Sequence, residues 1–414
     1  MSDSYLINRS QAASQKWDVI IVGGGMVGAA LAVGLGKENF NILLLERQQP
    51  NLQWDPDSAY QPRVSALTRA SENILKNLNA WQGIESRRYH PFSSMYVWDE
   101  ITPAEMQFSA VDMGEPNLGY TVENNIVQAA LWESMIQLSN VSVLLGEKLE
   151  KLDLQSQQAC LVLEGGVELK ADLVVAADGA MSQVRQLANI GLETHDYEQC
   201  AVVGCVKTEL SHQDTCWQRY RKEGPFAFLS MVNNVSSVAW YLPTDKMEWA
   251  LSLSDKEYSK AITQASGEKL GAVTEVAERT AFPLVRRHAE HYVKPHLALV
   301  GDAAHTINPQ AGQGVNLGFL DAAALIETLV EARQKNKPIG QFSVLRRYER
   351  WRRGDNALVQ RSMEGFDWLF KQDASLKATF RKTMMPLANQ ATPLKNWLMS
   401  QALNGREALP KLAK

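Results

Sequence analysis

A buried strand that runs directly into a glycine-rich turn constrains this 414-residue chain more than any other feature. Four apolar residues, Val19–Val22, are followed by the hexamer GGGMVG at residues 23–28. The alanine- and leucine-rich stretch Met26–Lys37 then predicts a helix, and Asn41–Glu46 predicts a second apolar strand. Continuous apolar strands on both sides of a helix are typical of a parallel β-α-β unit that is buried on both faces. The sequence therefore predicts an α/β fold with a glycine turn between strand and helix.

The glycines of this turn have the spacing of a dinucleotide-binding site. Gly23, Gly25 and Gly28 form Gly-x-Gly-x-x-Gly, in which small residues let a pyrophosphate approach the start of a helix. Glu46 ends the second strand 23 residues after Gly23 (46 − 23), near the interval of roughly 20 residues at which a carboxylate accepts ribose hydroxyls. A turn that serves only close packing is the alternative. The acid favours FAD or NAD over a nucleotide with a 2′-phosphate.

Two later carboxylates favour a flavin. Asp178 and Asp302 each follow an apolar strand and lie next to a glycine, so both are expected at the carboxyl ends of the sheet, where they could bond hydroxyls of an extended ligand. A glycine-rich loop at residues 307–318 then leads into a helix, whose first N–H groups could stabilise negative charge on a reduced flavin ring. For Asp302, capping of a helix is the alternative. A nicotinamide dehydrogenase has no need of a second carboxylate of this kind.

Composition and charge exclude several other classes. The net charge is −4 and no basic stripe is interleaved with aromatic residues, which argues against nucleic acid as a partner. The four cysteines form no Cys-x-x-Cys pair and have no histidines at zinc spacing, so neither a dithiol site nor a metal site is supported. No apolar run approaches the roughly 18 residues of a membrane span, and the polar residues 1–16 read as a flexible overhang. A cytoplasmic or peripheral protein is expected.

The order of these motifs resembles that of the single-component FAD-dependent aromatic monooxygenases of the para-hydroxybenzoate hydroxylase type, over roughly residues 17 to 350. Within that family the stretches 120–128 and 301–318 most resemble the ubiquinone-biosynthesis hydroxylases. Residues 282–293 are most similar to the bacterial members that act on demethoxyubiquinol. The resemblance implies a flavoprotein hydroxylase in which the cofactor carries the chemistry, so no residue is assigned a catalytic role.

The resemblance also implies which residues bind FAD. The pyrophosphate would be held by Gly23, Gly25 and Gly28, the adenosine by Glu46 and Arg47, the ribityl chain by Asp302 and the isoalloxazine ring by Val315 and Asn316, with Gly314, Arg63, Gln128 and Asp178 as further contacts. Arg185 shares a motif with Asp178 that is also associated with the nicotinamide donor. For Arg63 and Gln128 the alternative is an ordinary surface position. For His305 a buried structural role is favoured, and a supporting position behind the FAD contacts is the alternative.

The pattern of elements predicts two discontinuous domains. β-Branched and aromatic runs from about 201 to 285, with similar stretches at 91–99 and 106–109, predict an antiparallel sheet. Its aromatic residues are expected to be core, and none is assigned to substrate. The resulting division is a Rossmann-like FAD-binding domain (17–80, 113–187 and 286–340), a substrate domain (81–112 and 188–285) and a helical C-terminal region (341–414). Val64, Leu67, Leu75 and Leu78 are expected on one face of a helix.

By resemblance, NAD(P)H and O2 would serve to hydroxylate the ring of a polyprenyl quinol or phenol in ubiquinone biosynthesis, with demethoxyubiquinol as the expected substrate. The alternatives are another ring hydroxylase of that pathway or of a small phenol, a flavin-dependent isoprenoid reductase, and a flavin-binding subunit without turnover. Residues 376–404 mix basic with aromatic and apolar side chains, which suits either the inner face of a membrane or packing within the protein or on another subunit. Homo-oligomers and assembly with other proteins of the pathway stay open.

Overall fold

The computed structural model describes residues 4–103, 105–307, 314–370 and 409–414. Residues 376–404, for which membrane contact and internal packing are the alternatives, and most of the glycine-rich loop (308–313) lie outside this part of the chain. The helices are α1 (Arg9–Ser14), α2 (Met26–Lys37), α3 (Arg69–Asn77), α4 (Trp81–Glu85), α5 (Ala110–Met113), α6 (Asn124–Met135), α7 (Gln183–Leu187), α8 (Met247–Ser252), α9 (Asp255–Ser266), α10 (Gly314–Gln334) and α11 (Phe342–Phe370).

The strands form three sheets. In chain order they are β1 (Trp17–Val22), β2 (Ile42–Glu46), β3 (Val64–Leu67), β4 (Tyr89–Phe92), β5 (Ser94–Asp99), β6 (Glu105–Ser109), β7 (Gly119–Glu123), β8 (Val141–Leu145), β9 (Leu149–Asp153), β10 (Ala159–Leu163), β11 (Glu168–Ala176), β12 (Leu192–Thr208), β13 (Thr215–Tyr220), β14 (Phe226–Ser230), β15 (Val235–Pro243), β16 (Val273–Ala289), β17 (Val293–Lys294), β18 (Leu297–Leu299) and β19 (His305–Thr306).

The first sheet has the order β17-β18-β11-β1-β2-β8. Strand β10 also pairs with β11, and β9 pairs with β10. The pairs β18–β11, β11–β1, β1–β2 and β2–β8 are parallel. Ile20 and Ile21 of β1 are fully buried in the main core cluster, to which α2 and the helices that pack against it, α6 and α10, also contribute. Burial of one such side chain contributes about 1.5–3 kcal/mol, so the uninterrupted apolar strands explain this layered arrangement.

The second sheet has the order β19-β16-β12-β15-β14-β13-β5-β6. Helices α8 and α9 cover one face, where Phe226, Phe228, Trp240 and Tyr258 form a buried cluster. This placement confirms that the aromatic strand residues Phe226, Phe228 and Trp240 are core. The expectation of a purely antiparallel sheet was wrong at one place, since β5 and β13 are parallel. The segments are more than a hundred residues apart in sequence, so no hairpin turn forces them to be antiparallel.

A small antiparallel sheet, β3-β7-β4, joins the two larger ones. The expected helix through Val64 and Leu67 was wrong, because these residues form β3 and pair with β7. The helix begins after Thr68, whose side chain accepts a hydrogen bond from the Ser71 N–H (3.4 Å) and caps α3. An N-cap threonine needs extended backbone, which separates strand from helix at this residue.

The N-terminal segment is also different from the expected flexible overhang. Val143 of the edge strand β8 exchanges backbone hydrogen bonds with it, donating to Tyr5 O (2.8 Å) and accepting from the Ile7 N–H (3.0 Å). Tyr5 is buried, and Ala12 in α1 is fully buried and accepts a hydrogen bond from Trp17 Nε1 (2.9 Å). Residues 4–16 therefore cover an edge strand whose backbone groups would otherwise be unpaired.

The last six residues contact helices α3 and α10. Asn73 and Asn77 of α3 donate to the carbonyls of Ala413 (3.3 Å) and Leu412 (2.9 Å), and Glu327 of α10 accepts from the Lys411 N–H (2.8 Å). We call residues 409–414 the C-terminal clip. Among the helices of the described ranges, none is both long and apolar enough to cross a membrane.

Candidate FAD-binding site

The site lies where four parallel strands end side by side. The last residues of β1, β2, β11 and β18 are paired in register. Gly23, Glu46, Asp178 and Asp302 follow or end these strands, so all four lie at one edge of the first sheet. This edge is where open α/β sheets bind their ligands. The structure thus brings together the four positions from which the sequence predicts pyrophosphate, ribose and ribityl contacts.

Glycine is needed at the three motif positions for different reasons. Gly23 has φ +104°, and a Cβ there would lie 2.4 Å from Ala177 O. A Cβ at Gly28 would lie 1.9 Å from Gly23 O, so close packing explains both residues. A Cβ at Gly25 would meet no atom of the described residues within 4 Å, and no side chain of that part of the chain caps α2. Packing alone therefore does not account for Gly25, whereas a phosphate at the helix start does.

Three side chains hold the glycine turn through hydrogen bonds to the backbone of Gly24. Its N–H donates a short hydrogen bond to Glu46 Oε2, and its carbonyl accepts from Gln128 Nε2 (3.0 Å) and Trp132 Nε1 (2.7 Å). Glu46 Oε1 also accepts from the N–H of the exposed Arg47 (2.7 Å). Gln128 is thus a support of the turn rather than an ordinary surface residue, and direct contacts of Glu46, Arg47 and Gln128 with FAD stay predictions. Trp132 was not found from the sequence, since a buried tryptophan in an apolar helix looks like core.

Asp178 uses one oxygen structurally and leaves the other available. Its Oδ2 accepts from the N–H groups of Gln183 (2.8 Å) and Val184 (3.2 Å) at the start of α7. Its Oδ1 is buried and has no hydrogen-bond partner among the described residues. Burial raises the pKa of this carboxyl. A buried polar atom without a partner is costly, and a ligand hydroxyl would satisfy it.

Arg185 connects two of the strand ends. Its side chain is buried and donates to Ala303 O (2.8 Å) and Ala180 O (2.9 Å), and burial lowers its pKa. The guanidinium therefore holds the loop after Asp178 against the turn that carries Asp302. A contact with a nicotinamide donor stays a prediction.

Asp302 lies on the short 3₁₀ turn Gly301–Ala303, and its side chain is accessible. The surrounding protein nevertheless displaces enough solvent to raise the pKa of this carboxyl, against the opposing effects of His305, Arg63 and Arg287. We call this accessible but partly desolvated surrounding of the carboxyl the recess at Asp302. The 3₁₀ turn has Val300 as its N-cap residue and no side-chain cap within the described ranges, so the capping alternative has no support there.

The start of α10 carries the residues that are predicted to contact the flavin ring. Asn316 is buried, donates to Ala66 O (2.8 Å) and accepts from Ser71 Oγ (2.6 Å) and the Thr68 N–H (3.1 Å). Its side chain therefore fastens α10 to β3 and α3, and a contact of Asn316 with the flavin ring stays a prediction. Val315 packs partly against the main core, and a Cβ at Gly314 would meet no described atom within 4 Å.

Arg63 lies on the opposite side of this recess. Its guanidinium is exposed and lies 5.6 Å from the ring centroid of Phe282 in β16. Its effect on the pKa of Asp302 shows that the two charges are near each other. Arg63 is therefore near both Asp302 and the second sheet, and its contact with FAD stays a prediction.

A separate trio of side chains, His90, His212 and Asp214, brings potential metal ligands within 4.8 Å of one another. Both ring nitrogens of His212 are already engaged, Nε2 with Met231 O (2.9 Å) and Nδ1 with the Asp214 N–H (3.1 Å). A metal would have to displace one of these bonds. The hydrogen bonds explain the cluster without an ion.

Comparison with known proteins agrees with a flavin-binding class. Residues 16–360 match a family model described as an FAD binding domain. The chain belongs to this FAD-binding family, and FAD is its cofactor. The open space at Gly25, the unpartnered Asp178 oxygen and the recess at Asp302 fit such a ligand.

Two relatives cover nearly the whole chain. One is 3-demethoxyubiquinol 3-hydroxylase of Escherichia coli (strain K12), 38% identical over 390 residues that cover 94% of this chain and 99% of the relative. The other is ubiquinone hydroxylase UbiL of Rhodospirillum rubrum, 32% identical over 95% of this chain and 90% of the relative. The crystal structure of p-nitrophenol 4-monooxygenase PnpA from Pseudomonas putida DLL-E4 has the same fold, with a TM-score of 0.77 at 20% identity over 95% of this chain and all of that one.

Proposed function

We propose that the protein is an FAD-dependent monooxygenase that uses NAD(P)H and O2 to hydroxylate the ring of a polyprenyl quinol in ubiquinone biosynthesis, with demethoxyubiquinol as its substrate. The observation that carries the proposal is the position of Asp302. The chain leaves the first sheet at Leu299, passes through Asp302 and enters the second sheet at His305, which pairs with His288. The recess for the flavin thus opens onto the sheet that would hold a substrate. The names of both relatives agree with this activity.

The second sheet offers an apolar face toward this site. Ala201, Tyr241 and Leu284 form a buried cluster, and they alternate along their strands with residues that pack under α8 and α9. Because side chains alternate across a strand, this cluster lies on the face away from those helices. An apolar wall suits a prenylated ring, and it excludes water from the reaction. Bound FAD, once reduced by the nicotinamide donor, supplies the chemistry that activates O2 and transfers one oxygen atom to the ring.

The division into domains and the location follow from the same proposal. Strands of the first sheet come from residues 17–46, 141–176 and 293–299, and those of the second sheet come from 94–109, 192–289 and 305–306. This supports two discontinuous domains, but residues 286–289 and 305–306, which the sequence assigns to the FAD-binding domain, pair in the second sheet. A polyprenyl substrate resides in the membrane, so we place the protein at the cytoplasmic face of the membrane, where homo-oligomers or other proteins of the pathway would be its partners.

Activity and pathway can be tested together. The purified protein should bind FAD, oxidise NAD(P)H and consume O2 in proportion to hydroxylated quinol. A deletion strain should accumulate a quinone precursor that lacks one ring oxygen, as shown by mass spectrometry. Turnover without oxygen would instead indicate an isoprenoid reductase, and FAD binding without NAD(P)H oxidation would indicate a subunit without turnover. A deletion strain with normal quinones would contradict the pathway.

A further inference from the structure

Asp321 of α10 is fully buried and accepts four hydrogen bonds. Its Oδ2 accepts from the Gly301 N–H (3.1 Å) and from His305 Nε2 (2.5 Å). Its Oδ1 accepts from Arg352 Nε (2.8 Å) and Asn356 Nδ2 (3.1 Å) of α11. Two carboxylate oxygens offer about four lone-pair sites, so the acceptor capacity of Asp321 is fully used.

The charge of Asp321 is retained in spite of its burial. Burial alone would raise the pKa of this carboxyl, but His305 and Arg352 lower it to about 2. An ionised carboxylate is stable in such a place only when cations and donors surround it closely. A neutral amide at this position would present a donor where the Gly301 N–H or His305 now donates, so its geometry cannot be equivalent.

The two hydrogen bonds to Asp321 Oδ2 come from residues on either side of Asp302 in the chain. Gly301 precedes Asp302 and His305 follows it by three residues, and both donate to the same oxygen. The turn between them is therefore fixed at both ends, while the Asp302 side chain stays accessible in the recess. We propose that Asp321 is a positioning residue for FAD, which acts by holding the turn that carries Asp302. This inference rests on the ribityl-binding role of Asp302 in the proposed function.

Helix α11 takes part in the same arrangement through Arg352. The Arg352 guanidinium also bonds Asn356 Oδ1 (2.8 Å) and lies 3.2 Å from Asp355 Oδ2. One turn earlier, Tyr348 Oη donates to Leu299 O (2.8 Å), at the end of the strand that leads to Asp302. The docking of α11 therefore sets the position of the Asp302 turn, and loss of the Arg352 contacts should weaken FAD binding without any direct contact with the cofactor.

The test compares FAD affinity, measured by flavin fluorescence titration of the apoprotein, among matched variants. Asp321→Asn and Arg352→Lys should each weaken FAD binding by roughly tenfold or more, an effect well above titration error. The control is Asp18→Asn, which removes an ion pair between Asp18 and Arg333 at the opposite end of α10 (2.6 Å). It should lower the melting temperature but leave the FAD affinity unchanged.

A double-variant cycle separates positioning from general destabilisation. If Asp321 acts through Asp302, the variant Asp302→Asn/Asp321→Asn should bind FAD about as weakly as Asp302→Asn alone. Independent, multiplicative losses would overturn the proposal, and so would a wild-type FAD affinity in folded Asp321→Asn. Should Asp321→Asn fail to fold, Arg352→Lys decides in the same cycle. The readout uses no quinol, so a protein that binds FAD as expected but hydroxylates nothing would contradict only the proposed function.

Discussion

Gly25 differs from the two glycines that flank it in the turn. The positive φ of Gly23 and the close approach at Gly28 are demands of the protein itself, whereas the space beside Gly25 is bounded by no described atom within 4 Å. Its φ of −63° is one that any residue adopts. A side chain at this position would therefore fit the folded apoprotein and would occupy only the volume that a pyrophosphate needs.

We expect Gly25→Ala to lower the melting temperature of the apoprotein only slightly, because alanine is a poorer N-cap residue than glycine, and to weaken FAD binding by roughly tenfold or more, about 1.4 kcal/mol. Gly28→Ala is the matched comparison, since its Cβ would clash with Gly23 O at 1.9 Å and should lower the stability of the apoprotein itself. Thermal unfolding of the apoproteins and FAD titration measure the two effects. Equal FAD affinity in Gly25→Ala and wild type would contradict the pyrophosphate assignment.

The sequence predicted the site residues at the strand ends but not the side chains that hold those residues in place. Motif spacing located Gly25, Asp178 and Asp302, because a strand end beside glycine is visible in one sequence. The bonds of Asn316 to Ser71 and of Asp321 to His305 join residues 245 and 16 positions apart. No local pattern encodes such pairs, so the sequence implied a flavin contact for Asn316 and gave no signal for Asp321.

Arg88 contacts the connection between β2 and β3 at several points. Arg88 donates to Ser58 O (2.5 Å) and Ala59 O (3.2 Å), and its guanidinium lies 4.9 Å from the Trp54 ring and 4.1 Å from the Tyr60 ring. It also pairs with the fully buried Glu123 at 3.0 Å, which accepts from the Gln61 N–H (2.8 Å). This clamp fixes the segment that leads to Arg63.

Arg88→Met should destabilise the protein by about 3–5 kcal/mol, because Glu123 would be left as a buried charge without its cation. Chemical unfolding gives this free energy, and limited proteolysis should show faster cleavage in residues 47–63. The double variant Arg88→Met/Glu123→Leu should recover part of the loss, since it removes the isolated charge. A single variant as stable as wild type would show that the clamp has no energetic role.

Deletion of the C-terminal clip should loosen α3 and α10. The clip contributes three hydrogen bonds, at about 0.5–1.5 kcal/mol each, together with the burial of Ala413. A chain that ends at residue 408 should therefore melt at a lower temperature, and Asn77→Ala, which removes one of these bonds, should show a smaller decrease. Differential scanning calorimetry compares the three proteins. If the shortened chain melts like the full one, the clip adds nothing to stability.

Element prediction succeeded where one pattern dominates a segment. The helix Met26–Lys37 and the strand ending at Glu46 were confirmed because their apolar runs are long and bounded by turn residues. It failed at Val64 and Leu67, where a helical spacing with Leu75 arises by chance across the Thr68 cap. It also failed at residues 4–16, whose polar composition conceals the pairing with β8.

At the scale of the whole molecule, the second sheet is assembled from chain segments that are far apart in sequence. The parallel pairing of β5 with β13 links residues 94–99 to 215–220, and β16 pairs with β19 beside the FAD site. The sequence predicted that both sheets exist, since alternation and apolar runs are local. It could not predict which strands pair with each other, because that pairing depends on the packing of the complete chain.

Buried histidines make the stability of the whole fold depend on pH. His90, His212 and His288 lie in the second and small sheets or next to them, and burial lowers the pKa of each. The folded protein therefore binds fewer protons at these residues than the unfolded chain, whose histidines titrate near pH 6.5. Their contribution to stability is complete above that pH and is lost as the pH falls through the window below it.

We accordingly expect the free energy of unfolding, measured with urea, to decrease as the pH is lowered from 7.5 to 5.5. The slope below pH 6.5 has an upper limit of about 1.4 kcal/mol per pH unit for each histidine, or about 4 for the three together. His212→Gln removes one titrating group and should reduce the slope by about a third. The side-chain bond of His212 to Met231 O (2.9 Å) is also lost or altered, so this variant should be less stable at every pH. A slope that is the same in His212→Gln and in wild type would show that the folded protein protonates His212 as readily as the unfolded chain does.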